Sequence, residues 1–266
     1  LPGPARRSQQ GPFDGSNCRS HAIRRRRLGP AALAAVVGLA VLVLPIDRTG
    51  TARADTRPVL PKALVAIPFT HEYGQIILPV GINGSAPLRF LLDTGASDCI
   101  VDAGVAKRQR LSFEGRARVQ GAGGAAGIGV LRGVTFNVPH LDLTIDGHVY
   151  AADLGAMRTS QCDDRPPLDG ILGIAFFWNF VVMIDYEAMR IYLFDQKSFA
   201  YAGDGSELPL EVTGHGLFVQ AAARFDADRT CEGRFLVDTG FGGALSINTP
   251  VVRKYDLVTP EHPGYD

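Results

Sequence analysis

Apolar positions in this chain fall in short runs punctuated by glycine, asparagine and aspartate, the spacing of strands and tight turns. Residues 75–80 form a mostly apolar run, Asn83-Gly84 is a hairpin dipeptide, and residues 88–92 predict the returning strand. Residues 141–145 alternate with period two, Asp146-Gly147 predicts a turn, and 148–152 predict its return. The uncharged run 171–184 reads as buried strand, because its 14 residues are too few to cross a bilayer. A glycine-rich stretch at 121–129 predicts a loop. Helical signal is confined to 103–110 and 251–257. The expectation is an all-β barrel or sandwich.

The pattern repeats. Arg89-Phe90-Leu91-Leu92 runs into Asp93-Thr94-Gly95, and Arg234-Phe235-Leu236-Val237 runs into Asp238-Thr239-Gly240. The strand from Gly74 to Val80 precedes the first copy as Gly216 to Ala222 precedes the second, and Lys107 and Leu111 are echoed by Lys254 and Leu257. The second copy reads as incomplete: nothing after Asp238 matches the glycine-rich stretch, the pattern at 141–152 or the run at 171–184. The division this predicts is a leader over 1–54, a first lobe over 55–203 and a partial second lobe over 204–266, with a Gly-Asp-Gly-Ser joint at 203–206.

Charge adds the leader. Residues 1–54 carry nine Arg against two Asp, so the zero net charge of the whole hides an acidic body. That balance argues against nucleic acid as a partner. Arg24 to Arg27, the apolar run 31–44 and the small residues of Ala52-Arg53-Ala54 have the order of a secretory signal peptide. They predict export to the periplasm or outside the cell, without a stable membrane span after cleavage, or a signal anchor if the leader is kept. Residues 1–23 read as an upstream extension, and the initial Leu reads as a fragment's start. Cys99, Cys162 and Cys231 remain after the leader and permit at most one internal disulfide, Cys162–Cys231 being conceivable.

Two carboxylates on twin strand-end loops suit a shared-proton dyad. An apolar strand carries each Asp inward, Thr can lock the loop, and Gly lets the backbone pass close to its partner. Facing each other, the two groups cannot both ionise; one deprotonates a water while the other polarises a carbonyl. Other chemistries fit less well. The glycine-rich stretch lacks the Gly-Lys-Ser/Thr of a phosphate loop, and Ala126 breaks a dinucleotide fingerprint. Gly95-Ala96-Ser97-Asp98-Cys99 has Cys where a nucleophile elbow needs Gly. Scattered His and Cys predict no metal and no cofactor. Asp169 reads as a turn residue.

With Leu92-Asp93-Thr94-Gly95-Ala96-Ser97 followed by Leu168-Asp169-Gly170-Ile171-Leu172-Gly173, the chain resembles the retropepsin-like and pepsin-like aspartic proteases over roughly residues 65–258. It is most similar to exported bacterial forms with two tandem units. The resemblance implies closed β-barrel lobes, the second incomplete here, and a polypeptide substrate. It also implies a catalytic pair Asp93 and Asp238, supported by Thr94, Gly95, Ser97, Thr239 and Gly240. Ile171-Leu172-Gly173 would pass beneath the first Asp loop, residues 176–194 would close the unit, and Gln120, Gly121, Gly123 and Gly124 would belong to a mobile flap. Ser97 would bond the outer oxygen of Asp93; Gly242 stands at the matching place, leaving that support to Ser246 or to nothing. The incomplete second copy keeps open a homodimer pairing Asp93 from each chain, and Gly242 with the missing second flap keeps open an envelope peptide-binding protein with degenerate catalysis.

Overall fold

The computed structural model describes residues 41–43, 62–121, 124–145, 149–155, 166–201, 206–214 and 216–258. It opens with β1 (Val41–Val43), β2 (Val65–Pro68) and β3 (Thr70–Glu72). The hairpin of β4 (Gln75–Ile82) and β5 (Leu88–Leu92) leads to Asp93, followed by β6 (Cys99–Asp102) and α1 (Ala103–Arg108). Next come β7 (Ser112–Gly121), β8 (Gly124–Arg132), β9 (Thr135–Val138), β10 (Leu141–Thr144), β11 (Val149–Ala152) and β12 (Gly170–Leu172). A short α2 (Ile174–Phe177) precedes β13 (Phe180–Asp185) and β14 (Arg190–Asp195). The chain continues through β15 (Leu210–Thr213), β16 (Gly216–Arg224), β17 (Thr230–Leu236) and α3 (Thr249–Lys254).

The all-β expectation holds: 48% of the structure is strand and 10% helix. The largest sheet runs β10-β9-β4-β5-β12-β6-β11-β8-β7, with β3 also on β4, and curls into a half-barrel. Among the described residues no ladder joins β10 to β7, so the sheet has two ends where a closed barrel was expected. A second sheet, β1-β13-β14-β2, covers one side, and β15-β16-β17 form a third. Of the predicted leader only residues 41–43 are described, and they add to β13 in parallel.

Local sequence explains the turns. Asn83 and Gly84 both take positive φ (49° and 79°), the backbone that a two-residue hairpin turn demands. Tyr73 and Gly74 do the same between β3 and β4 (52° and 78°). Three expectations need correction. The strand at 149–152 does not return along 141–145: β10 pairs with β9, while β11 inserts between β6 and β8. The run 171–184 is broken into β12, α2 and β13, because Gly173 and the aromatic cluster turn the chain at the core. The glycine-rich loop is largely strand, the arms of a β7–β8 hairpin whose last pair is Gly121 with Gly124.

The core lies in the first unit. Phe90, Phe136, Phe176 and Phe177 are fully buried and meet edge to face in series, with centroids 5.9, 5.7 and 4.7 Å apart. Gly170 lies against the Phe90 ring, where a β-carbon would collide. In the third sheet Leu217 is the one buried side chain larger than hydrogen among the described residues, and β17 alternates between exposed and half-buried along its length.

Candidate active site

Two strand ends bring the repeated tripeptides together. β5 is held between β4 and β12 and delivers Asp93; β17 lies against β16 and delivers Asp238 through Val237. The repeated Arg of each approach has a repeated partner. Arg89 reaches Glu72 on β3 at 2.9 Å, and Arg234 reaches Glu211 on β15 at 3.2 Å. The sheet β15-β16-β17 thus has the same strand order and the same cross-sheet ion pair as β3-β4-β5.

The loops interlock about a local twofold. Thr94 Oγ1 donates to Val237 O at 2.6 Å, and Thr239 Oγ1 donates to Leu92 O at 3.0 Å. Each hydroxyl also accepts the other threonine's N–H, at 3.0 and 3.1 Å. Thr94 is the one buried polar residue among those described. The glycines fit between the carboxylates: a β-carbon on Gly95 would lie 2.6 Å from the Asp238 carboxyl carbon, and one on Gly240 would collide with the Asp93 carboxylate. No side chain larger than hydrogen fits there.

Each carboxylate is anchored by its own loop. Asp93 Oδ1 accepts from Gly95 N (2.8 Å) and Ala96 N (3.1 Å); Asp238 Oδ1 accepts from Gly240 N (2.9 Å) and Phe241 N (3.1 Å). Burial pushes the Asp93 carboxyl up to about 6, with the Asp238 charge adding to the rise and the two amides opposing it. The arrangement therefore holds, directly beside Asp238, a carboxyl that keeps its proton well above the ordinary aspartate range.

The flanking loops repeat the twofold. Ser97 Oγ does not reach the Asp93 carboxylate as expected; it donates to Gly214 O at 2.9 Å, just before β16. At the matching place Gly242 packs on the turn before β4, where a β-carbon would meet Tyr73 O at 2.5 Å. Gly242 is thus required by close backbone approach. Ser246 is exposed and makes no hydrogen bond among the described residues, so it gives Asp238 no support. Gln75, which sequence reasoning passed over, donates from Nε2 to Gly240 O at 2.5 Å.

The first loop has a floor, with no counterpart beneath the second among the described residues. Asp93 N donates to Leu172 O (3.0 Å), and Ile174 N and Ala175 N donate to Ala96 O and Ser97 O (2.9 and 3.1 Å). Asp169 stands apart from the dyad, its carboxylate accepting Arg89 N at 2.9 Å in the turn before β12. Of the flap candidates, Gln120 and Gly121 end β7 and Gly124 begins β8; Gly123 lies outside the described residues. Among those residues no His, Cys, Asp and Glu cluster could hold a metal, and no helix is long and apolar enough to cross a membrane. Cys99 and Cys231 are free, and Cys162 is outside the described residues, as are the basic block and cleavage site of the leader and most of the 203–206 joint.

This geometry can be set beside known proteins. Residues 78–176 match the aspartyl protease family. The match spans the Asp93 loop, the β7–β8 hairpin and β12, and agrees with the resemblance carried by the Asp-Thr-Gly and Ile-Leu-Gly motifs. Similar solved structures include a retropepsin-like aspartic protease from Rickettsia conorii, 15% identical, with 49% of this chain and 89% of that chain covered and a TM-score of 0.32. No curated protein matches.

Proposed function

We propose that the chain is an aspartic-type endopeptidase, built as two tandem units, in which Asp93 and Asp238 share one proton. The observation that carries this reading is the reciprocal locking of the two Asp-Thr-Gly loops through Thr94 and Thr239. The ionised carboxylate takes a proton from a water whose oxygen attacks the scissile carbonyl carbon, while the protonated carboxyl hydrogen-bonds the carbonyl oxygen. The C–N bond then breaks and the leaving amine takes up a proton from the dyad. The two titrations belong to the pair. An extended peptide is the substrate, bound through its main chain as a strand. Export is proposed from the leader pattern.

The test is cleavage of a peptide library by the wild type, Asp93→Asn and Asp238→Asn. Both variants should lose turnover, and undiminished cleavage by both would end the proposal. The dimeric alternative predicts activity that survives Asp238→Asn and depends on protein concentration. The single-chain reading is favoured because the face of the Asp93 loop that a second Asp93 would need is filled by Gly240 and Thr239.

A further inference from the structure

The two Asp loops match in their backbone bonds, but the Gln75 side chain breaks the twofold. Ile77 pairs with Leu91 and Phe218 with Leu236, each two residues before its Asp, so the ladders make Gly216 the counterpart of Gln75. Gly216 takes a φ of 148°, and a β-carbon there would lie 2.5 Å from Leu236 Cδ1. The second unit therefore has no side chain with which to return the contact that Gln75 makes. Gln75 Nε2 donates to Gly240 O at 2.5 Å. The other end of that same peptide is the Phe241 N–H, which donates to Asp238 Oδ1 at 3.1 Å. A hydrogen bond on a peptide carbonyl polarises the peptide and makes its N–H a stronger donor. The matching peptide of the first unit joins Gly95 to Ala96, and the Ala96 N–H meets Asp93 Oδ1 at the same 3.1 Å. Its carbonyl, Gly95 O, accepts no hydrogen bond among the described residues. Two hydrogen bonds of equal length thus differ in strength, and the stronger one serves Asp238.

We propose that Gln75 is a positioning residue: through the Gly240–Phe241 peptide it places the single negative charge of the pair on Asp238 and leaves the proton on Asp93. The physical reason is that a stronger donor to a carboxylate favours its ionised form. Asp238 is then the member that takes the proton from water, and Asp93 the member that hydrogen-bonds the carbonyl oxygen. The rise of the Asp93 carboxyl to about 6 has the same sense, since burial and the Asp238 charge both hold its proton. Around Gln75 the charged groups, Glu72 on β3 and Arg89 on β5, pair with each other at 2.9 Å, and the titratable group facing Asp238 is Asp93. The inference rests on the shared-proton dyad proposed above and assigns its two roles.

The experiment is a carboxyl-carbon NMR titration of the full chain, isotope-labelled at its aspartates, with the two resonances assigned from Asp93→Asn and Asp238→Asn. Between pH 3.8 and about 6 the wild type should show Asp93 protonated and Asp238 ionised. Gln75→Met keeps the length of the side chain and loses the donor. It should move proton population from Asp93 to Asp238 and lower kcat several-fold at unchanged KM. Ser97→Ala removes a different cross-unit bond, to Gly214 O, and should leave both carboxyl resonances in place. Unmoved resonances in Gln75→Met, or equal movement in both variants, would overturn the proposal. If Gln75→Met does not fold, the wild-type amides decide. The Phe241 N–H should resonate downfield of the Ala96 N–H despite their equal hydrogen-bond lengths, and the reverse order or no difference would overturn the proposal. The carboxyl and amide readouts need no turnover. A chain that cleaves no peptide yet shows this asymmetry loses the protease reading alone, and one that cleaves with equally protonated carboxyls loses this inference alone.

Discussion

Thr94 does more for this molecule than its size suggests. Its hydroxyl donates to one unit-two backbone group and accepts from another, in a place closed to water. Thr94→Ala orphans both Val237 O and Thr239 N, which should cost about 1–3 kcal/mol in chemical denaturation. Thr94→Ser keeps the oxygen and should recover most of that loss, an outcome a purely apolar role for the methyl would not produce. Gly242 gives the opposite lesson. By sequence it stands where the first copy has Ser97, and Gly242→Ser would look like a repair. The Tyr73 carbonyl occupies the space a β-carbon needs, so Gly242→Ser should lower stability and library cleavage together. A gain in cleavage would show that the missing hydroxyl, and not the close approach, governs this position.

At the scale of elements, the first Asp loop depends on β12 passing beneath it. Gly173→Ala would drive a methyl into the Asp98 and Ala96 carbonyls, so the Asp93 loop must move before the strand can stay. Cleavage should fall more steeply than the thermal midpoint; equal loss of both would indicate simple unfolding. What the sequence disclosed at this scale follows from range. Asn83-Gly84 is self-contained, because its two residues carry the positive φ the turn needs, and it forms as read. Each Asp-Thr-Gly loop is local in the same way, its Asp accepting from amides two and three residues on. The partner of β11 was not legible, because the alternation at 141–145 says which face of that strand is buried and nothing about which edge the segment 148–152 joins. The role of Ser97 was missed because its acceptor, Gly214, lies 117 residues away. Gly242 was misread because one sequence cannot distinguish a lost side chain from a forbidden one.

Across the whole molecule, the two units contribute unequally. The aromatic core and nearly all fully buried side chains belong to the first, while the third sheet rests on Leu217 and the interlocked loops. Amides of β16 and β17 should therefore exchange through lower-energy openings than those of β4, β5 and β13, a gradient native-state hydrogen exchange can measure. That gradient ties the Asp93 proton to folding, since Asp93 meets Asp238 only while β15, β16 and β17 are docked on the first unit. In the unfolded chain Asp93 titrates near 3.8, and in the folded pair it is raised to about 6 by burial and the neighbouring charge. The folded state thus holds this proton more tightly, so the stability it contributes is fully present below about 3.8 and is lost as pH rises through about 6. Asp93→Asn removes the titration. The difference in denaturation midpoint between wild type and Asp93→Asn should therefore shift against the wild type between those values and flatten above them. A difference that is constant over the window would mean that the carboxylates do not share their charge in the folded molecule, and the dyad would fail on thermodynamic grounds without any substrate being tried.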